Sequence, residues 1–427
     1  MRSADDFLKH NRLLSSDIDM ENLIHVFTAE MINGLEGKES SLRMLPTYIE
    51  AENDFLTEVP VLAIDAGGTN FRAALIRFTR NGQIESDAVN NFRMPGLERE
   101  ISAREFFSTI SGYIKPFAER SERIGFCFSY PTEILPDLDG RLIQFCKEVR
   151  APEVVGQLIG KNLLEALGTP RKKIVLLNDT VATLLAGKSV SVNKNYDSFI
   201  GFILGTGTNT CYIESNTNIL KNKELDRNRT QIINIESGNF GKAPRTALDL
   251  VFDNSTVDPG SYTFEKMFSG GYFGGLCLSV LNSAASEGIF SGRAAGKITR
   301  IKELSTGEAN NFVQNFNTQE NVLSDCFTES EDAGKCQRII DALIERAALL
   351  VSANLAAVVL KTGKGKSAEL PVLITVEGTT FFNLHNFKLR FEKFFSQYLN
   401  GERKRFVEFA RVPQSSLVGA ALAGLIN

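Results

Sequence analysis

Val61-Leu62-Ala63-Ile64-Asp65-Ala66-Gly67-Gly68-Thr69-Asn70-Phe71-Arg72 is the stretch on which the fold turns. Residues 61–64 are apolar and rich in β-branched types, so they read as a buried strand. A carboxylate follows, then paired glycines and two small polar residues. The apolar pattern resumes through Ala73, Ala74, Leu75 and Ile76. Strand, tight turn, strand is a hairpin. Its turn is flanked by Asp65, Thr69, Asn70 and Arg72. Glycine lets backbone approach a ligand closely, and successive turn N–H groups form an anion nest. Thr69 and Asn70 add donors, and the Arg72 fork suits phosphate. Asp65 would repel phosphate unless a cation lay between them. The pattern suggests a metal-nucleotide phosphate site on a β-hairpin, although a plain hairpin with a polar turn gives the same letters. It is not a P-loop, because no Lys-Ser/Thr follows and a strand, not a helix, leaves the turn.

The chain has 427 residues, enough for two or more domains around a large core. Hydrophobic residues make 43% and charged residues 23%, an ordinary globular balance. The net charge of −4 argues against a nucleic-acid or anionic-membrane partner. No apolar run reaches about 18 residues, so no membrane span is expected. Residues 1–9 are polar and lack the apolar region of a signal peptide. The six cysteines are Cys127, Cys146, Cys211, Cys277, Cys326 and Cys336. None is paired in C-x-x-C spacing and most lie in apolar runs, which predicts reduced, buried thiols in a cytoplasmic protein. His10, His25 and His385 are scattered, so neither zinc nor a catalytic His/Ser pair is expected.

Residues 17–35 carry Leu23, Ile24, Phe27, Met31 and Leu35 at helical spacing and end near Gly34 and Gly37. Residues 88–94 read as a third strand after the hairpin, and residues 103–114 as an amphipathic helix. Residues 123–130 are an apolar strand ending in Ser129-Tyr130-Pro131. Residues 154–167 read as a helix closed by Gly168. Residues 173–177 form a strand that runs into Asn178-Asp179-Thr180, and a helix from 181 is expected to close at Gly187. Strands alternating with helices mean an α/β architecture with parallel pairing. Residues 199–204 begin a second round, with the turn Gly205-Thr206-Gly207-Thr208-Asn209 and a return strand. Two similar hairpins suggest two related α/β halves. Residues 231–235 are a strand ending at Glu236, and 262–281 read as one helix. Residues 339–360 predict a long helix, 371–376 a strand before Glu377-Gly378-Thr379, and 417–426 a helix of small residues.

Ser129, Asn178, Asp179, Asn209 and Glu236 all follow strands, where ligand sites of open α/β sheets lie. Each has a bland reading as well. Asp179 reads as the N-cap of the next helix, Glu265 as a helix-start charge, and Lys147 as a solvated lysine. Together they are amides, carboxylates and a cation suited to a polyhydroxyl ligand. Beside two phosphate-type hairpins, the set implies phosphoryl transfer from a nucleotide to a sugar hydroxyl.

At this point the chain resembles the hexokinases, within the actin-like sugar kinase and chaperone ATPase superfamily. The likeness runs from Leu42-Arg43-Met44-Leu45-Pro46-Thr47 to the C-terminal helix. Asp65 to Arg72 looks like the first phosphate motif, and Phe126-Cys127-Phe128-Ser129-Tyr130-Pro131 like the sugar-binding signature. Leu177-Asn178-Asp179-Thr180-Val181 resembles the catalytic segment, and the turn from Gly205 to Tyr212 the second phosphate motif. Asn234-Ile235-Glu236 and Phe264-Glu265-Lys266-Met267 resemble the two hexose-binding glutamate segments, and Glu377-Gly378-Thr379 the adenosine-side motif. The sequence departs from the family at Cys146, where threonine is common, and at Ser237, where a large aromatic is common. Gln414-Ser415-Ser416 also replaces a more glycine-rich loop.

The resemblance implies two lobes of ribonuclease H-like (actin-like) α/β fold with a cleft between them. The small lobe would be residues 58–178 with 413–427, and the large lobe residues 1–57 and 179–412. It implies an ATP:hexose 6-phosphotransferase with Asp179 as the base. Ser129, Lys147, Asn178, Asn209, Glu236 and Glu265 would hold the hexose. The nucleotide would lie against Asp65, Gly67, Gly68, Thr69, Asn70, Arg72, Gly205, Thr206, Gly207, Thr208, Gly378 and Thr379. Mg²⁺ would reach Asp65 largely through water. The rivals are a catalytically silent sugar sensor and an actin- or chaperone-like ATPase. The preferred hexose and the choice between monomer and homodimer are not written in the sequence.

Overall fold

The computed structural model describes residues 3–145, 149–190, 194–315 and 321–426. It contains two mixed sheets built to one plan. In the first, Val61–Gly67 (β1) and Asn70–Phe78 (β2) form the antiparallel hairpin read from the sequence. Arg123–Phe128 (β3) lies parallel beside β1, and Lys173–Leu177 (β4) lies parallel beside β3. Short strands Ile84–Ser86 and Asn90–Arg93 both pair with β2. In the second, Ser198–Leu204 (β5) and Thr208–Ser215 (β6) form the corresponding hairpin, and Thr230–Asn234 (β7) continues it on β6. Val372–Glu377 (β8) runs parallel beside β5, and Val407–Ala410 (β9) beside β8. The two related halves inferred from paired glycine turns are therefore present as matching strand orders.

The elements form where local chemistry asks for them, with informative exceptions. Helix Met20–Glu36 (α1) is capped by Asp19 and closed by Gly37 in the left-handed region. Gly34 stays inside it, because a Cβ there would stand 2.5 Å from the Leu42 carbonyl. Asp179–Val190 (α2) likewise runs past Gly187 instead of ending there. A Cβ on Gly187 would collide with Thr375 Oγ1 on β8, so the glycine serves packing, not termination. Residues 154–158 stay outside the helix, which is Ile159–Ala166. The single helix expected over 262–281 is broken: a 3₁₀ turn at Glu265–Met267 and a Gly270-Gly271 bend precede Phe273–Ser286.

Ser330–Thr362 (α3) is the axis of the larger core, with Leu343, Ala347, Leu350, Val351 and Val358 buried. It is long and apolar enough to cross a membrane, which the run-length reading of the sequence did not anticipate. Yet 89% of its apolar window is buried inside the protein. At one level of this helix Arg346 forks onto Asp249 through bonds of 2.9 and 2.7 Å, so a buried charge is matched in place.

Ser415–Leu425 (α4) lies between the sheets, packed on α2, β1 and β3. Small residues make this approach feasible. A Cβ on Gly125 would fall 1.7 Å from the Ala420 carbonyl, and one on Gly419 would fall 1.8 Å from the Ala182 carbonyl. Backbone thus meets backbone on both faces of α4. We expect Gly419→Ala to lower the urea midpoint by the equivalent of about 3 kcal/mol, since overpacking at a rigid backbone contact is rarely relieved. Gly112→Ala is the control, because nothing lies within 4 Å of its added Cβ. That helical substitution should stabilise by roughly 0.5–1 kcal/mol.

Candidate active site

The junction of β4 and α2 sets the centre of the site. Asn178 Oδ1 accepts from the Thr180 and Val181 N–H groups at 2.8 and 3.3 Å. Asn178 is therefore the cap of α2, correcting the expectation that Asp179 plays that part. Asp179 becomes the first helical residue, and its side chain lines the cleft. Burial pushes its carboxyl up to about 6, the Thr180 N–H opposes the rise, and the charges of Asp65 and Glu236 add to it. The Cys211 thiol donates to the Thr180 carbonyl at 3.2 Å and anchors the same turn from below.

On the second sheet, polar side chains are joined to one another. Asn209 Oδ1 accepts from the N–H groups of Thr210 and Ser237 at 2.7 and 3.2 Å. Its amide donates to Asn234 Oδ1 at 2.7 Å, and the Asn234 amide donates to Glu236 Oε1 at 2.8 Å. Glu236 itself sits at φ +60°, a left-handed conformation that glutamate seldom adopts. Glu265 Oε2 accepts from the Thr208 N–H at 2.7 Å. It lies so near Gly207 and Gly238 that a Cβ on either would stand 2.7 or 3.1 Å from that oxygen. The broken helix explains itself here. Gly270 and Gly271 donate their N–H groups to the carbonyls of Gly205 and Thr206, both at 2.8 Å, and fasten the second glycine turn. Gly378, at φ +111°, packs directly on Leu204, and Thr380 Oγ1 donates to the Gly205 carbonyl at 2.9 Å. The hydroxyl that holds this loop is Thr380, and the neighbouring Thr379 is exposed.

On the first hairpin, Asp65 and Arg72 stand opposite each other across β1 and β2. Arg72 grips Asp65 Oδ2 through two nitrogens, one at 2.8 Å, and also donates to Ser416 Oγ at 3.1 Å. The departure at residue 416 therefore touches the first phosphate-type motif directly. Gly68, Thr69 and Asn70 are exposed at the turn. Gly67 abuts Ser129, whose Cβ would lie 3.0 Å from a Cβ added there.

One cleft of about 730 Å³ gathers these groups. Ser129, Asn178 and Asp179 line it from one side, and Thr206, Gly207, Thr208, Asn209, Glu236 and Glu265 from the other. Asp65, Gly67, Gly68, Thr69, Asn70 and Arg72 flank it, as do Gly205, Gly378 and Thr379, without forming its wall. Lys147 and Cys146 lie outside the described residues. Sequence reasoning missed Arg43, Tyr48 and Tyr262 as wall residues. Tyr262, at φ +51°, gave no local sign of that conformation. Asn234 could have been found, since it precedes Glu236 by one strand period. Among the described residues, no three His, Cys, Asp or Glu side chains converge as a metal cage.

The fold has counterparts among solved structures. The hexokinase from Schistosoma mansoni solved in complex with glucose matches with a TM-score of 0.78 at 22% identity, covering 99% of each chain. Human hexokinase-3 is 32% identical over 403 residues, which are 88% of this chain and 42% of that protein. This chain thus spans under half the length of the mammalian relatives it matches. Hexokinase-1 of Schizosaccharomyces pombe is 29% identical over 432 residues, covering 94% of this chain and 86% of that one. Two family models, each described as hexokinase, match residues 5–189 and 199–426. With one model on each half, the chain belongs to the hexokinase family.

Proposed function

We propose that this chain transfers the γ-phosphoryl group of ATP to the 6-hydroxyl of a hexose, with glucose the first candidate. The observation that carries the reading is Asp179: a carboxyl raised to about 6, lining a cleft whose wall includes the second glycine turn. In the transfer, the sugar hydroxyl oxygen bonds to the γ-phosphorus, and the bond to the ADP oxygen breaks. The hydroxyl proton passes to the Asp179 carboxylate. A base poised near 6 is ionised at neutral pH yet basic enough to take that proton.

Ser129, Asn178, Asn209, Glu236 and Glu265 hold the hexose in this reading, together with Lys147. Glucose is favoured because the S. mansoni hexokinase of the same fold holds glucose. Thr69, Asn70, Arg72, Thr206 and Thr208 hold the phosphates with their glycines, and Gly378 and Thr379 face the adenosine. Mg²⁺, held by Asp65 largely through water, would offset the charge on the phosphates. Asp65 is paired with Arg72, and among the described residues no cage of His, Cys, Asp or Glu surrounds it. The lobes divide as residues 58–178 with 413–427 against the rest, a division the two sheets support. A cytoplasmic setting belongs to the same reading, supported by free, buried Cys127, Cys211, Cys277, Cys326 and Cys336.

A coupled ADP-release assay over a panel of hexoses tests the whole reading. Hexose-dependent turnover with a 6-phosphate product supports it. Sugar binding without turnover makes the chain a sensor, and sugar-independent hydrolysis makes it an ATPase.

Asp179→Asn should lower kcat by about 10²–10⁴-fold. Wild-type kcat/KM should climb as pH rises through about 6 and then level, and the variant should lose that limb. Stability should move the other way. The folded carboxyl keeps its proton above the ordinary value of 3.8, so ionisation weakens the fold as pH rises from 3.8 towards 6. At pH about 7.5 the variant should therefore be more stable than wild type by about 1–2 kcal/mol, after discount for solvent in the cleft. The gap should vanish below about pH 4, and thermal melts at both pH values would show it.

Arg72→Ala separates the phosphate side from the sugar side. Loss of a charge-assisted fork should cut kcat/KM for ATP by roughly 10–100-fold. The glucose Kd from calorimetry should stay within about twofold. A collapse of glucose affinity with normal nucleotide kinetics would show that the first hairpin is misassigned.

A further inference from the structure

Helix α3 is mostly apolar along its buried length, and of its buried polar residues Asn354 bonds to the strand that carries Asn209. Asn354 is 1% exposed and lies among buried Ala353, Leu355, Ala356 and Ala357. Its amide donates to Thr210 Oγ1 at 3.0 Å, while its Oδ1 has no hydrogen-bond partner. A buried amide oxygen left unpaired costs about 1–3 kcal/mol. An apolar side chain of that size would suit the helix better. A local rule broken at a stability cost points to function, provided the residue leads somewhere.

It leads to the glutamate of the cleft. Thr210 Oγ1 is 3.1 Å from Ser237 Oγ, and both residues are fully buried. Ser237 directly follows Glu236 and is one of the departures from the family pattern noted in the sequence. The Ser237 N–H donates to Asn209 Oδ1, which also takes the Thr210 N–H. Glu236 is thus anchored on both flanks, by Asn234 on its own carboxylate and by Ser237 in the next peptide. Those anchors matter because Glu236 is left-handed. Without them a glutamate relaxes into the extended or right-handed region, and its carboxylate swings away.

We propose that Asn354, acting through Thr210 and Ser237, is a positioning residue that fixes where Glu236 presents its carboxylate to the sugar. The proposal rests on the reading of the cleft as a hexose site and deepens it. Asn354 touches no substrate. The buried core helix thus joins Asn234 and Asn209 in setting the direction of the acceptor.

Ser237→Ala, Thr210→Val and Asn354→Leu each remove one link with little change of volume. Each should raise the glucose Kd from calorimetry, and the glucose KM, by roughly five- to tenfold, the worth of about one hydrogen bond. The KM for ATP should stay within about twofold. The Thr210→Val/Asn354→Leu pair should be no worse than the poorer single variant, because both cut one chain. Against a panel of monodeoxyglucoses, each variant should lose discrimination at the same hydroxyl as Glu236→Gln. A residue that served only stability would lower the melting temperature and leave that discrimination intact. Asn354→Leu should instead melt no lower than wild type. Ser237→Ala is the mildest change and keeps the test open if another variant misfolds. Variants that bind glucose within twofold of an active or glucose-binding wild type overturn this proposal alone. A wild type that binds no hexose overturns the reading of the cleft and this proposal together.

Discussion

The approach of α4 to α2 and β3, backbone against backbone, is the constraint on which the remaining structure depends. Gly125 and Gly419 remove the side chains that would hold these elements apart. Helix–helix axes ordinarily stay 8–10 Å apart, and the distance is set by the residues at the contact. With glycine and alanine at the seam, α4 reaches β1 and β3 on one side and α2 on the other. The two sheets then share one apolar layer, in which Val61, Val181, Leu185, Cys211 and Leu422 pack together. The second glycine turn, after β5, lies on the wall of the cleft, and Ser129, against which the first turn packs, lies on it too.

The cleft concentrates negative charge. Asp65, Asp179 and Glu236 come from three different strand ends, and their mutual repulsion adds to burial in raising Asp179. Each of the outer two has a local partner: Arg72 for Asp65, and the Asn234 amide for Glu236. Asp179 takes an N–H from Thr180, which offsets only part of its burial. The geometry thus gives two of the three like groups a bonded partner and leaves Asp179 raised by burial and by the charges beside it. Burial pushes the neighbouring Cys127 thiol well up, so it adds no charge to the group.

Much of this was legible in the sequence where a residue's role is local. The Gly67-Gly68 hairpin, the strand before Asn178 and the repeat at Gly205 follow from periodicity and turn chemistry. The failures share a cause. Gly187 and Gly34 were read as punctuation and Gly270 as helix interior, whereas tertiary contacts with Thr375, Leu42 and Gly205 decide their places. Asn178 and Asp179 compete for one cap, and two adjacent side chains of similar chemistry cannot be ranked without coordinates. Asn354 was invisible because a polar residue within the apolar stretch of a 33-residue helix gives no hint of what it reaches. Contacts that span 144 residues, as from Thr210 to Asn354, leave no mark in a local window.

The two hairpins also solve one electrostatic problem by the same means. A turn brought near phosphate exposes carbonyls as well as N–H groups, and carbonyl oxygens repel an anion. In the first turn the carbonyls of Gly68 and Thr69 are taken by the Tyr130 hydroxyl and the Met94 N–H, both at 2.9 Å. In the second, the carbonyls of Gly205 and Thr206 are taken by the Gly270 and Gly271 N–H groups. Different parts of the chain supply these donors, yet each holds a turn carbonyl towards protein. The peptide N–H points opposite its own C=O, so fixing the carbonyl inward fixes the donor outward. Glycine alone would leave both orientations open, since it favours neither. On the proposed phosphate reading, these turns would serve as anion nests because their carbonyls are bonded by residues outside the motifs.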